Sequence, residues 1–268
     1  MPTIDTPEGS LFYTDDGAGG PVLLLVHGWA CDSHDWAAQV GPLAARHRVI
    51  VPDLRGHGRS GTPPRGFAPT DFAADLAALV TALGVAPVVA VGHSMGGIVV
   101  SVLAAELPAL VQGVVVLDPP YGLDEAAGAD ARAFAAEVRR DGSHAPILAR
   151  LGVGGPVSVL TANEVWRRRR ALGVPFDVLA EAVVAVHEGD EPLAELTATR
   201  RLLAARRAPT LAIHADPARA AWEEGLLDDE RSAAAAVPGA SHWLHQDEPE
   251  RVNRLILDWV GALSAVRA

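Results

Sequence analysis

The chain contains no lysine; all 22 of its basic residues are arginine. That absence removes a Walker-type phosphate loop, whose lysine reaches the terminal phosphates, and any lysine Schiff base, so kinase-like and pyridoxal-dependent chemistry is excluded. Cysteine is reduced to a single residue, Cys31. One thiol can form neither an intramolecular disulfide nor a cysteine zinc cluster, and nothing here argues for an oxidising compartment. Its expected state is an inert, buried thiol. Long hydrophobic runs are missing as well, since no window approaches the eighteen or so uninterrupted apolar residues of a membrane-crossing helix. Positive charge is scarce. The net charge of -11, from 33 acidic and 22 basic side chains, opposes binding to nucleic-acid backbones and to anionic membrane surfaces. The opening residues, MPTIDTPEGS, carry acid rather than base and lack the apolar stretch of a secretory signal. The expectation is a cytoplasmic protein that acts on a neutral small molecule.

What is present is apolar bulk. With 268 residues, 49% of them hydrophobic and 21% charged, the chain can bury a large core. Short apolar runs alternate with longer segments of helical period, the pattern of a parallel sheet wrapped by helices. Strands are predicted over Leu23–Val26, Val49–Val51, Val88–Val91, Val114–Leu117 and Leu211–Ile213, with Ser10–Thr14 in an antiparallel edge hairpin. Helices are predicted over Asp32–Ala45, Thr70–Leu83 with Thr70 at the cap, and Met95–Leu107, and a packing helix over Pro249–Leu263. The alternation stops after Leu117 and resumes near Pro209. The roughly ninety residues between them read as several helices joined by glycine and proline, so residues 121–207 are taken as a helical cap inserted into an α/β core of residues 1–120 and 208–268. Within the cap, the run Arg167–Arg170 points in several directions around a helix and is expected to be solvated.

Chemistry concentrates where a buried strand meets a helix. Gly92-His93-Ser94-Met95-Gly96 has the form G-x-S-x-G between the strand at Val88 and the helix from Met95. Glycines on both sides permit a sharp turn that exposes the Ser94 hydroxyl at a helix N-terminus, where negative charge is favoured. Val26-His27-Gly28-Trp29 ends an earlier strand, and the backbone amides of Trp29 and Met95 are candidates for an oxyanion hole. His27 is expected to be structural. No set of cysteine, histidine and carboxylate has metal-ligand spacing, so neither a metal nor an organic cofactor is expected.

Taken with Asp53-Leu54-Arg55-Gly56-His57-Gly58-Arg59-Ser60 and Gly239-Ala240-Ser241-His242-Trp243, these segments resemble the α/β-hydrolase superfamily over the whole chain outside the cap. The resemblance implies the α/β-hydrolase fold, with a mostly parallel central sheet flanked by helices, and a base in the loop after the last strand, where His242 stands. The acid departs from the usual pattern. Members most often carry it after the strand that follows the cap, in a glycine-aspartate turn, but here that stretch is Leu211-Ala212-Ile213-His214-Ala215-Asp216-Pro217, with alanine for the glycine and a short turn. The alternative is Asp118, at the end of the strand before the cap and 24 residues after Ser94. Haloalkane dehalogenases and zearalenone-type lactone hydrolases keep their acid there. Asp118 is preferred and Asp216 stays open, because a triad is recognised by geometry and not by position.

The resemblance implies a serine hydrolase that cleaves an ester or lactone of a small hydrophobic substrate, with Trp29, Tyr121, Trp166 and Trp243 as candidate pocket walls. The same scaffold supports carbon-carbon bond hydrolysis or a cofactor-free lyase reaction, and a ligand receptor with negligible turnover is the reading of another class. Apolar cap helices serve a pocket wall or a homodimer contact equally well, so self-association stays open.

Overall fold

The computed structural model describes residues 2–6, 8–189 and 192–265. Eight strands form one sheet: β1 (Thr3–Thr6), β2 (Gly9–Asp16), β3 (Leu23–Val26), β4 (Val49–Pro52), β5 (Val88–His93), β6 (Val111–Leu117), β7 (Thr210–His214) and β8 (Ala233–Ala236). Their spatial order is β1-β2-β4-β3-β5-β6-β7-β8. The first two join antiparallel and all others run parallel. Residues on a strand alternate between faces, and the core divides accordingly. Leu24, Val26, Ala90, Val114 and Val116 point into one apolar cluster, whereas Leu23, Leu25, Val89, Val91, Val115 and Leu117 point into the other. Because parallel strands are covered on both faces, they read as continuous runs of valine and leucine.

Helices α1 (Ala37–Ala44), α2 (Pro69–Ala82) and α3 (Met95–Glu106) connect the early strands. The segment expected as one helix from Asp32 opens instead with a 3-10 turn over Ser33–Trp36. Helix α2 starts one residue before Thr70. Its N-cap is Ala68, whose N–H is satisfied by the Asp71 carboxylate at 2.9 Å, so a side chain inside the first turn does the capping expected of Thr70.

Between β6 and β7 lie α4 (Glu125–Asp141), α5 (Ala145–Arg150), α6 (Ala162–Gly173), α7 (Phe176–Glu188) and α8 (Leu196–Ala205). Leu123 pairs with the chain just before α8, through Leu123 N–H to Ala194 O at 2.9 Å and Leu196 N–H to Leu123 O at 3.0 Å, and this ties the two ends of the insertion together. After β7 follow α9 (Pro217–Glu224), α10 (Leu244–Asp247) and α11 (Pro249–Ala265). Val252, Ile256, Val260 and Leu263 of α11 bury against the second face of the sheet. No helix of the described residues is long and apolar enough to cross a membrane.

The arginine run in α6 departs from expectation. Arg167 and Arg170 are buried, while Arg169 is exposed. A three-residue separation puts Arg167 and Arg170 on the same helical face, and that face packs on the turn after β3. Arg170 pairs with Asp35 at 3.1 Å, and the Arg167 guanidinium lies 3.3 Å from the centre of the Trp243 ring.

Candidate active site

Ser94 sits between β5 and α3 with φ 53° and ψ -124°, a backbone conformation that L-residues rarely adopt. Surrounding packing holds it there. A side chain at Gly92 would collide with the Gly96 carbonyl, and one at Gly96 with the carbonyls of Val26 and His27, so the turn closes only with glycine on both sides. The Ser94 N–H bonds to Leu117 O at 2.9 Å, which fastens the turn to the end of β6. The next residue of that strand end is Asp118, which also has a positive φ, 45°, and donates its N–H to Ile213 O at 2.8 Å.

His242, in the loop after β8, lies between these two strand ends. Its Nε2 is 2.9 Å from Ser94 Oγ, and its Nδ1–H donates to Asp118 Oδ2 at 2.7 Å. Burial favours a protonated Asp118 carboxyl, but the nearby His214 and the hydrogen bonds from His242 and the Ala215 amide outweigh it and hold the group well below the usual carboxylate range. Asp118 is therefore an anion at neutral pH. Asp216 is not part of this arrangement: its carboxylate accepts from Ala218 N at 2.8 Å and caps α9. Alanine and proline around it send the chain straight into a helix, leaving no turn that could reach His242.

The loop after β3 comes close to the serine. An added Cβ at Gly28 would stand 3.0 Å from Ser94 Cβ, and the following Ala30 has φ 59°. Trp29 and Met95 thus flank Ser94 from two elements, and Met95 opens α3, where an N–H has no acceptor within the helix. His27 accepts the Leu54 N–H at Nε2, 3.0 Å, a contact that ties β3 to the loop after β4.

Above Ser94 is a cavity of about 420 Å³ with Trp29, Phe134, Val183, Val186 and Trp243 in its wall. Two of the four expected aromatic walls are absent from it. Tyr121 is completely buried and hydrogen-bonded to Glu223, because its hydroxyl finds a carboxylate inside the core. Trp166 is 48% exposed on α6, its ring stacked beside His34 at the edge of the face that carries the buried arginines. Phe134 and the valines of α7 take their places; they carry no signal beyond ordinary helical periodicity. His187 also lines the cavity, and burial together with the charges of Arg150 and Arg132 pushes it down to about 4, so it is neutral at pH 7. Cys31 reaches the wall, with burial and then Asp35 pushing its thiol far up, in keeping with an inert group.

Beneath the serine lies a cluster hidden from sequence spacing. Asp35, His93 and His245 are buried with their ligand atoms within 4.8 Å of one another, although about 60 and 150 residues separate them along the chain. Asp35 Oδ1 is already held by the Arg170 guanidinium at 3.1 Å and the Gln246 amide at 2.6 Å. Asp35 Oδ2 faces His93 Nδ1 and His245 Nε2, each at 3.3 Å, and a divalent ion bound there would stand beside the Arg170 guanidinium, which works against its binding. His93 donates Nε2–H to the carbonyl of His242 at 2.9 Å and so supports the loop that carries it.

Comparison with known proteins gives the same outline. A family model described as alpha/beta hydrolase fold matches residues 21–142. A non-heme haloperoxidase from Rhodococcus erythropolis is 46% identical over 99 residues, which is 36% of either chain. The match thus spans about a third of the length of the first curated relatives. A 2-(acetamidomethylene)succinate hydrolase from Mesorhizobium japonicum is 27% identical over 97% of this chain and 94% of its own. Among solved structures, a thermophilic esterase from Thermogutta terrifontis superposes with a TM-score of 0.78 at 29% identity, covering 97% of both chains.

Proposed function

We propose that the chain, which has the α/β-hydrolase fold and matches that family's model over residues 21–142, is a serine hydrolase of carboxylic esters or lactones with apolar substituents. The observation that carries this is the pair of contacts at His242, 2.9 Å to Ser94 Oγ and 2.7 Å to Asp118 Oδ2, on the floor of an apolar cavity. His242 Nε2 takes the hydroxyl proton as Ser94 Oγ attacks the carbonyl carbon. The Trp29 and Met95 amides receive the resulting oxyanion, each worth about 3 kcal/mol in the transition state. His242 then returns the proton to the leaving alkoxide, and a water molecule, deprotonated by the same nitrogen, releases the acid from Ser94. Asp118 keeps the Nδ1–H tautomer and balances the imidazolium.

A cavity of this size walled by Trp29, Phe134, Val183, Val186 and Trp243 favours a small, uncharged, hydrophobic ligand. A cytoplasmic setting belongs to the same proposal, supported by the single, buried cysteine. A second reading, hydrolysis of a bond other than an ester, is favoured by likeness along nearly the whole chain to the 2-(acetamidomethylene)succinate hydrolase. A panel of esters and lactones assayed with wild type and Ser94→Ala tests the proposal. Ester turnover with a nitrophenol burst, lost by several orders of magnitude in folded Ser94→Ala, is expected. Near wild-type turnover in that variant would sink it, and activity confined to non-ester substrates would select the second reading.

A further inference from the structure

Strand β7 ends in His214, beside the end of β6 that carries Asp118. The His214 ring is fully buried. Its Nε2–H donates to Glu223 Oε2 at 2.8 Å, and its Nδ1 faces Asp118 Oδ1 at 3.6 Å. Glu223, on α9 and also without exposure, accepts at Oε1 from Arg206 Nη2 at 3.0 Å and from the Tyr121 hydroxyl. Tyr121 stands where the helical insertion begins and Arg206 where it ends, so both ends of the insertion are bound to one carboxylate. The phenol stays neutral, since burial and Glu223 hold it well above its ordinary range. Glu223 is paired with the Arg206 guanidinium, whereas Asp118, 21% exposed, faces histidines and the Ala215 amide. His214 is the group between the two carboxylates. Burial works against its imidazolium, but Asp118 and Glu223 outweigh that and raise its pKa above the ordinary value.

We propose that His214 is a positioning residue, held as an imidazolium between Glu223 and Asp118, which orients the carboxylate that serves His242 and offsets part of its charge. This rests on Ser94, His242 and Asp118 being the catalytic groups. The groups that face His242 are Ser94, Asp118 and, below the loop, His93 with Asp35 and His245 behind it. Removing the charge at His214 leaves all of these in place and strengthens the hold of Asp118 on a proton at His242. The pH at which the base becomes available then rises.

The state of His214 can be read without turnover, by nitrogen NMR of Ser94→Ala protein labelled at histidine. Both ring nitrogens of His214 should carry protons at pH 7, and one should be lost when Glu223→Gln is added. In an ester assay, His214→Asn should move the acid limb of kcat/KM upward by about one pH unit, with KM little changed because His214 does not line the cavity. Glu223→Gln should move the limb the same way. A neutral His214 at pH 7 in Ser94→Ala protein overturns the proposal, and so does an unmoved acid limb in folded His214→Asn. Full turnover in Ser94→Ala would instead remove the catalytic premise, and the NMR result keeps the two failures apart.

Discussion

Replacing Asp118 with asparagine separates the two candidate acids. The Asp118 anion lies 2.7 Å from the His242 Nδ1, and unit charges at that distance attract by about 6 kcal/mol at an effective dielectric constant of about 20. The His242 side chain is 35% exposed, so water screens part of this, and about 4 to 5 kcal/mol remains for the imidazolium of the transition state. At about 1.4 kcal/mol per decade, kcat should fall by three to four orders of magnitude. Asparagine adds a second defect of the same sign, since its amide hydrogen can bond to Nδ1 and hold the tautomer that cannot accept the serine proton. Asp216→Asn should keep its capping role on α9 and stay within a few-fold of wild type. The assay is steady-state hydrolysis of a nitrophenyl ester at saturation, with thermal melting to show that both variants fold. Folded Asp118→Asn within tenfold of wild type, or an equal collapse in Asp216→Asn, would refute the assignment of the acid.

Other expectations follow from the same contacts. Chelator should leave ester hydrolysis unchanged because Arg170 already neutralises Asp35 in the buried histidine cluster; loss of activity restored by one particular divalent metal would contradict this. Gly96→Ala should destabilise the fold by at least about 2 kcal/mol or prevent it, since its Cβ would meet the His27 carbonyl oxygen at 2.6 Å; a melting temperature equal to wild type would show that the loop after β3 can yield. Asp118 has a depressed folded-state pKa, so its contribution to stability is complete above the unfolded value of about 4 and disappears as pH falls toward the folded one. Acid-induced melting should therefore be less steep below about pH 4 in Asp118→Asn, and identical slopes in the two proteins would count against the charge-stabilised carboxylate.

Some of this was legible along the chain because it depends on neighbours in sequence. The parallel strands declared themselves as valine and leucine runs, and the turn at Ser94 as a serine between glycines at a strand-to-helix junction. His242 was legible through its place after the last strand. The walls of the cavity were not: Trp166 and Phe134 both sit on helices of the insertion, and only the way those helices seat on the core turns Phe134 inward and Trp166 outward. The same seating buried Arg167 and Arg170, which a helical wheel alone would leave in water.

What the sequence by itself determined is whatever sterics and periodicity enforce locally: alternating sheet and helix, a strained serine that tolerates only glycine at its flanks, and a chain without lysine or paired cysteine. Tertiary structure alone decided which carboxylate lies against His242. Asp118 and Asp216 follow adjacent strands, and residue spacing cannot tell which one turns toward His242. The choice was made by the end of β7, where His214 points into the core and pairs with Glu223, leaving Asp216 to cap a helix and Asp118 to face the base. Electrostatics between groups a hundred residues apart has no signature in a linear pattern, because it acts through distance and exclusion of water, and both exist only once the chain has folded.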